Sequence, residues 1–128
     1  MRINLKTNKK VDMLERCVQY SLQIIKFFRE IEKDSVGRIL GNQLLRSGTS
    51  IGANVHEAQG GQSKADFIAK ISIAQKEACE SAYWLRIMLE TKLGQSADIR
   101  KVRQETDELV RILSSILISA KERTKKCA

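Results

Sequence analysis

Four stretches of apolar residues stepping by three and four, in 128 residues without a single proline, restrict this chain to helices more firmly than any motif in it. Such spacing returns side chains to one face of an α-helix but scatters them over both faces of a strand. An interior proline would cost about 3 kcal/mol by removing a donor and clashing with the preceding turn. Its absence leaves long helices open. A chain of this length closes one apolar core, and a second would be starved of buried surface, so residues 1–128 read as one domain.

A first helix is expected over about 9–33, with Val11, Leu14, Val18, Leu22, Ile25 and Phe28 facing inward. Asp34 and Ser35 offer N-cap oxygens to a second over 35–59, whose apolar residues are Val36, Ile39, Leu40, Leu44, Ile51 and Val55 and whose stop is Gly60-Gly61. Ser63 and Asp66 have the spacing of a capping box, with Asp in place of Glu. They open a third helix over 64–93, carried by Phe67, Ile71, Ala74, Ala78, Ala82, Leu85 and Leu89 and ending near Gly94. After Ser96, a fourth over 97–123 places Ile99, Val102, Thr106, Leu109, Leu113, Ile116 and Ala120 in the seam of a heptad repeat. Connections of a few residues oblige successive helices to run antiparallel and adjacent. The expected fold is all-α, an antiparallel up-down-up-down four-helix bundle.

Gly37, Gly41, Gly48 and Gly52 lie along one stripe of the second helix with Leu44, although each interior glycine costs nearly 1 kcal/mol against alanine. Close approach of another backbone or a large ring would offset that. Two readings stand, packing within the bundle, with Trp84 as a candidate filler, and a subunit interface.

The chemistry of a site is sparse. A di-iron carboxylate centre in a bundle needs Glu-x-x-His on two helices, and the chain has one histidine, His56, with no such spacing. A Ser-His-Asp or Cys-His arrangement would need the same His56, which has no nucleophile at a telling distance in sequence. The expectation is no catalytic residue, no metal and no cofactor. Cys17, Cys79 and Cys127 lie far apart and outside any Cys-x-x-Cys spacing, which suits a reducing cytoplasm. No run reaches the roughly 18 apolar residues of a membrane span, and MRINLKTNKK has no apolar stretch behind its charges. A polar set remains: Arg46, Ser50, Asn54 and Glu57 share one face of the second helix, and Glu77 and Glu80 share one on the third with Tyr83 and Trp84 nearby. These residues read as a network that fixes helix register or partner choice, as the wall of a ligand pocket, or as a solvated face.

The net charge of +8 is not spread evenly. Arg2, Lys6, Lys9 and Lys10 at one terminus, with Lys121, Arg123, Lys125 and Lys126 against Glu122 at the other, account for +7 of it. An even number of alternating helices brings both termini to one end. That end would then be a basic pole able to displace counterions from several phosphates, in salt-sensitive and largely sequence-blind binding. Two solubilising tails are the other reading. No aromatic residue is interleaved with these lysines, so base stacking is not supported there.

The run from Leu44 to Val55 (LLRSGTSIGANV), followed by Glu57-Ala58, Asp66-Phe67, Lys76-Glu77-Ala78, Glu80 and Tyr83-Trp84-Leu85, resembles the bacterial four-helix bundle proteins of the 23S rRNA intervening-sequence (S23) family. The likeness covers about residues 10–120. It implies a ring-shaped homopentamer, no catalytic residues, and kinship with the accessory variability determinant of diversity-generating retroelements, a basic five-membered barrel that binds nucleic acid and assists a reverse transcriptase. His56 stands where the family pattern has alanine or an acid. Cyclic symmetry would gather five basic poles on one rim.

The expectation from sequence is thus a non-enzymatic oligomeric protein that binds nucleic acid, RNA or DNA, or acts as a scaffold. Lys6, Lys9, Lys10, Lys121, Arg123, Lys125 and Lys126 would contact phosphates, and Arg46, Ser50, Asn54, Glu57, Glu77, Glu80, Tyr83 and Trp84 would serve structure or interface. The alternative is a protein-interaction adaptor, such as a partner of a reverse transcriptase, that uses the polar face of helices two and three.

Overall fold

Asp12 opens the first helix by accepting the Leu14 N–H at 2.8 Å, one of the orphan donors that every helix start exposes. A computed structural model describes residues 12–61, 63–93 and 97–127. They form α1 (Met13–Ile31), α2 (Ser35–Gln59), α3 (Lys64–Glu90) and α4 (Ala97–Cys127). Among the described residues there is no strand. Residues 9–11, expected within helix one, and Gly94 and Ser96, expected to bound helices three and four, lie outside the described residues.

The remaining ends follow their caps. Asp34 accepts the Gly37 N–H at 2.9 Å, and Ser63 accepts that of Asp66 at 3.1 Å. α1 closes at Ile31 rather than 33, and α3 at Glu90 rather than 93. Past the C-cap Thr91, Lys92 takes a left-handed φ of 58°, and the N–H groups of Lys92 and Leu93 return to the carbonyls of Leu89 and Met88. That is a Schellman closure built on lysine where glycine is usual. α4 continues to Cys127, beyond the expected 123.

α1 pairs with α2, α2 with α3, α3 with α4, and α4 with α1, while the diagonal pairs stay apart. The architecture is the up-down-up-down bundle. The α1–α4 seam is the sparsest of the four. Along it Arg16 meets Glu105, Tyr20 meets Thr106, and Phe27 shares a cleft with Asp98 and Val102. The order reverses, so the two helices run antiparallel, and the start of α1 shares an end of the bundle with the end of α4.

The face expected to be buried on α1 is corrected. Its core side chains are Met13, Cys17, Tyr20, Ile24, Phe27 and Ile31, all 5% exposed or less, whereas Val18 and Leu22 are 40% and 53% exposed. Both sets step by three and four, because α1 carries two apolar stripes. The buried stripe holds the larger side chains, and its Tyr20 hydroxyl has a buried partner at 2.6 Å in Thr106. Val36 and Ile39 of α2 are likewise outside, and the glycine stripe is inside. On α3, Ser81 and Met88 are core in place of Ala82 and Leu89. On α4, Leu117 is core where Ile116 was expected.

That stripe accommodates α1. A Cβ added at Gly52 would lie 3.0 Å from the Cβ of Cys17, at Gly48 3.1 Å from Ile24, and at Gly41 2.7 Å from the ring of Phe28; at Gly37 it would fall on the Ile31 carbonyl. Packing within the bundle therefore holds, and neither the subunit interface nor Trp84 fills the stripe.

Candidate functional site

On the flank formed by α2 and α3, antiparallel pairing brings Arg46 opposite two carboxylates one turn apart on α3. Its Nη1 donates to Glu77 at 3.0 Å, and its Nη2 pairs with Glu80. The same Glu80 oxygen accepts the Trp84 indole N–H at 3.0 Å, and Tyr83 meets the Trp84 ring edge-on at 5.1 Å. The Trp84 hydrogen bond, then Arg46, holds the Glu80 carboxyl below its usual range. The Glu80 hydrogen bond, then the Glu77 charge, holds the Arg46 guanidinium above its own. Arg46 is half-exposed, so the pairing is screened and contributes about 0–1 kcal/mol.

Not all of the expected polar set joins this cluster. Ser50 donates to the Arg46 carbonyl at 2.6 Å, and the Asn54 amide donates to the Ser50 carbonyl at 2.8 Å. Both are bonded along their own helix and make no bridge to α3. Glu57 pairs separately with Lys70 at 2.9 Å. His56 is exposed on the last turns of α2. Among the described residues no group of three or more His, Cys, Asp or Glu side chains could hold a metal ion.

Several polar contacts escaped sequence reading. Arg16 grips Glu105 through Nε and Nη2 at 2.6 and 2.9 Å. Ser47 meets Ser81 at 2.8 Å in the core between α2 and α3, and Gln75 donates to Ser114 at 2.9 Å between α3 and α4. Ser47 and Ser81 fall on the inward stripes of their helices, and that alone could have marked them. Partners separated by 89 residues, as Arg16 and Glu105 are, become neighbours only once the bundle order is known.

Of the expected phosphate-binding residues, Lys6, Lys9 and Lys10 lie outside the described residues. Lys121 is exposed on α4. Arg123, Lys125 and Lys126 fall in the last turns of α4, at the end where α1 begins. Near the opposite end, the sparse α1–α4 seam leaves a cleft of about 160 Å³ lined by Gln23, Lys26, Phe27, Asp98, Lys101 and Val102. Apolar side chains also face outward: Val18 and Leu22 on α1, Val36 and Ile39 on α2, and Ile73 and Tyr83 on α3. No described helix is long and apolar enough to cross a membrane.

Residues 9–115 match the family model of the 23S rRNA-intervening sequence protein. The chain is similar to a crystal structure of a protein of unknown function from the S23 ribosomal protein family of Bacteroides thetaiotaomicron, with a TM-score of 0.76 and 34% identity over 81% of this chain and 96% of that one. No curated protein matches.

Proposed function

The chain belongs to the 23S rRNA-intervening sequence protein family, and from that premise we propose that it is a non-enzymatic, oligomeric, cytoplasmic protein that binds nucleic acid through a pole formed by its two termini. One observation carries this reading: α1 starts and α4 ends at the same end of the bundle. Seven of the eight excess positive charges belong to the segments that begin and end there. Clustered cations displace condensed counterions from phosphates together, and each contact adds to the salt dependence of binding.

The oligomer proposed is a ring of five. A heterologous ring needs two different patches on each subunit. The exposed stripe of α1, with Val18 and Leu22, and the flank of α2 and α3, with Ile39 and Tyr83 beside the Arg46 cluster, are two such patches. In a ring the basic poles point one way and their fields add.

A filter-binding titration of generic RNA and DNA across a salt series tests the nucleic-acid reading. Affinity should fall steeply with salt and weaken when Lys6, Lys9, Lys10, Lys121, Lys125 and Lys126 are changed to glutamine. Salt-independent binding, or binding that survives those changes, refutes it. Light scattering tests the ring, which should have five times the 14.5 kDa protomer mass.

A second reading draws on the exposed Ile39 and Tyr83 beside the Arg46–Glu77–Glu80 cluster. That flank would serve as an adaptor surface for a protein such as a reverse transcriptase. A partner that co-purifies after nuclease treatment and at high salt, and is lost with Tyr83→Ala, would favour the adaptor.

A further inference from the structure

The cleft in the α1–α4 seam lies away from the terminal pole. Its floor is apolar, made by Phe27 and Val102, which are 1% and 2% exposed. Its rim is polar: Gln23 and Lys26 line it from α1, and Asp98 and Lys101 from α4. Lys26, Lys101 and Asp98 have no ion-pair partner among the described residues. Arg16, Arg46, Lys70, Arg86, Arg103 and Arg111 are, by contrast, each matched to a carboxylate. The cleft is thus lined by two ammonium groups and one carboxylate, none of them committed to an ion pair among the described residues.

We propose that this cleft holds one ribose-phosphate unit of an RNA backbone. The inference rests on the nucleic-acid reading above and adds a second contact site to it. Its volume of about 160 Å³ matches one small ring, since a cavity of about 150 Å³ takes a single benzene. Lys26 and Lys101 supply the cations that a phosphate on the rim requires, as ammonium point charges that adapt to its position. Asp98 repels phosphate but accepts a hydrogen bond from a hydroxyl, and Gln23 does either. Acceptors beside cations select a sugar that carries a 2′-OH, which is the group that separates RNA from DNA. Phe27 presents no face for stacking because it is buried, so recognition here is of the backbone and not of base sequence. Arg29 and Arg100, both exposed on the same two helices, would meet flanking phosphates.

Two measurements on the full chain test the proposal. In the first, ribose 5-phosphate is titrated into isotope-labelled protein and amide shifts are followed. Movement concentrated on Lys26, Phe27, Lys101 and Val102, and lost in K26Q/K101Q, is the expected result. Shifts that are absent, or unchanged in that variant, overturn the cleft whatever the protein does with polymers. In the second, a labelled single-stranded RNA and its DNA counterpart are titrated across a salt series. K26Q/K101Q should lower the salt slope by about 0.7, the share of the one phosphate held in the cleft on a single strand, and should abolish preference for RNA over DNA. An unchanged slope and preference, with binding lost instead when the terminal lysines are neutralised, overturns the cleft and leaves the terminal pole standing. No RNA binding by the wild type overturns the cleft and the terminal pole together, whereas RNA binding that survives neutralisation of the terminal lysines but is lost in K26Q/K101Q overturns the terminal pole alone. Both lysines are exposed, and an unchanged circular dichroism spectrum establishes that the variant folds.

Discussion

Gly37→Ala should destabilise the bundle, and Gly41→Ala should not. At Gly37 the new methyl falls on the carbonyl oxygen of Ile31, and backbone can yield only if the end of α1 moves outward by about 1 Å. Ile31 is 5% exposed and would be drawn from the core with it. Overpacking of this kind costs about 1–3 kcal/mol or more, and the helix-propensity gain of alanine, at most about 1 kcal/mol, offsets part of it. A net loss of about 2 kcal/mol is expected, which for a domain of this size is a fall in Tm of roughly 6–10 °C. At Gly41 the methyl would come 2.7 Å from a ring carbon of Phe28. That ring is only half-buried and can swing toward solvent, so the two terms should cancel to within about 0.5 kcal/mol. Thermal unfolding followed by circular dichroism reads both variants. Equal losses at the two positions, or none at Gly37, would refute the claim that backbone contact sets the α1–α2 distance.

Three further outcomes follow from the same coordinates. Lys92→Gly should raise stability by about 0.5–1 kcal/mol, because it relieves a left-handed φ that an L side chain resists; a lowered urea midpoint would contradict it. Arg16→Ala, which strands a partly buried Glu105, should cost about 1–2 kcal/mol, between the ranges for surface and buried pairs, whereas Arg46→Ala should cost less than about 1 kcal/mol. Burial pushes the Cys17 thiol from near 9 up to about 12 and raises the Tyr20 hydroxyl well above its ordinary range. Protons retained by the fold are released on unfolding, so the contribution of each is complete below its unfolded pKa and is lost as pH rises, by up to about 1.4 kcal/mol per pH unit for each group. Stability should therefore decline above pH 9 and more steeply above pH 10, and Tyr20→Phe should remove the steeper part of a urea-midpoint profile.

Fold class, helix number and most caps were legible because each has a local cause. The side-chain oxygens of Asp34 and Ser63 accept backbone N–H groups three residues on, and the short connections dictate the order. The polar cluster was half legible. The spacing of Glu77 and Glu80 put both on one face, but nothing local distinguishes Arg46, which crosses to α3, from Ser50 and Asn54, which bond back to carbonyls four residues earlier. Short polar side chains reach their own helix more readily than a neighbour. The Lys92 closure was illegible for a related reason, since left-handed lysine has no compositional mark and Gly94 was the stronger sequence signal.

The choice of face on α1 could have been made from volume instead of spacing. Glycines at 37, 41, 48 and 52 leave a shallow trough on α2, and a trough packs to native density only against large side chains. Of the two apolar stripes on α1, the one with Tyr20, Phe27 and Met13 is the bulkier, and it is the one buried. The same choice explains the surface. Once α1 sinks onto the glycines with that stripe inward, Val18 and Leu22 must turn outward, and Val36 and Ile39, on a different side of α2 from its glycines, are exposed as well. Their exposure is therefore a consequence of how α1 and α2 fit together. Replacing Val18 and Leu22 with serine should leave the unfolding midpoint of the isolated subunit within about 0.5 kcal/mol, the usual range for surface sites, while lowering the mass seen by light scattering if the stripe joins subunits. A variant that loses stability without changing mass would place those side chains in the fold of the single chain and remove them from any interface.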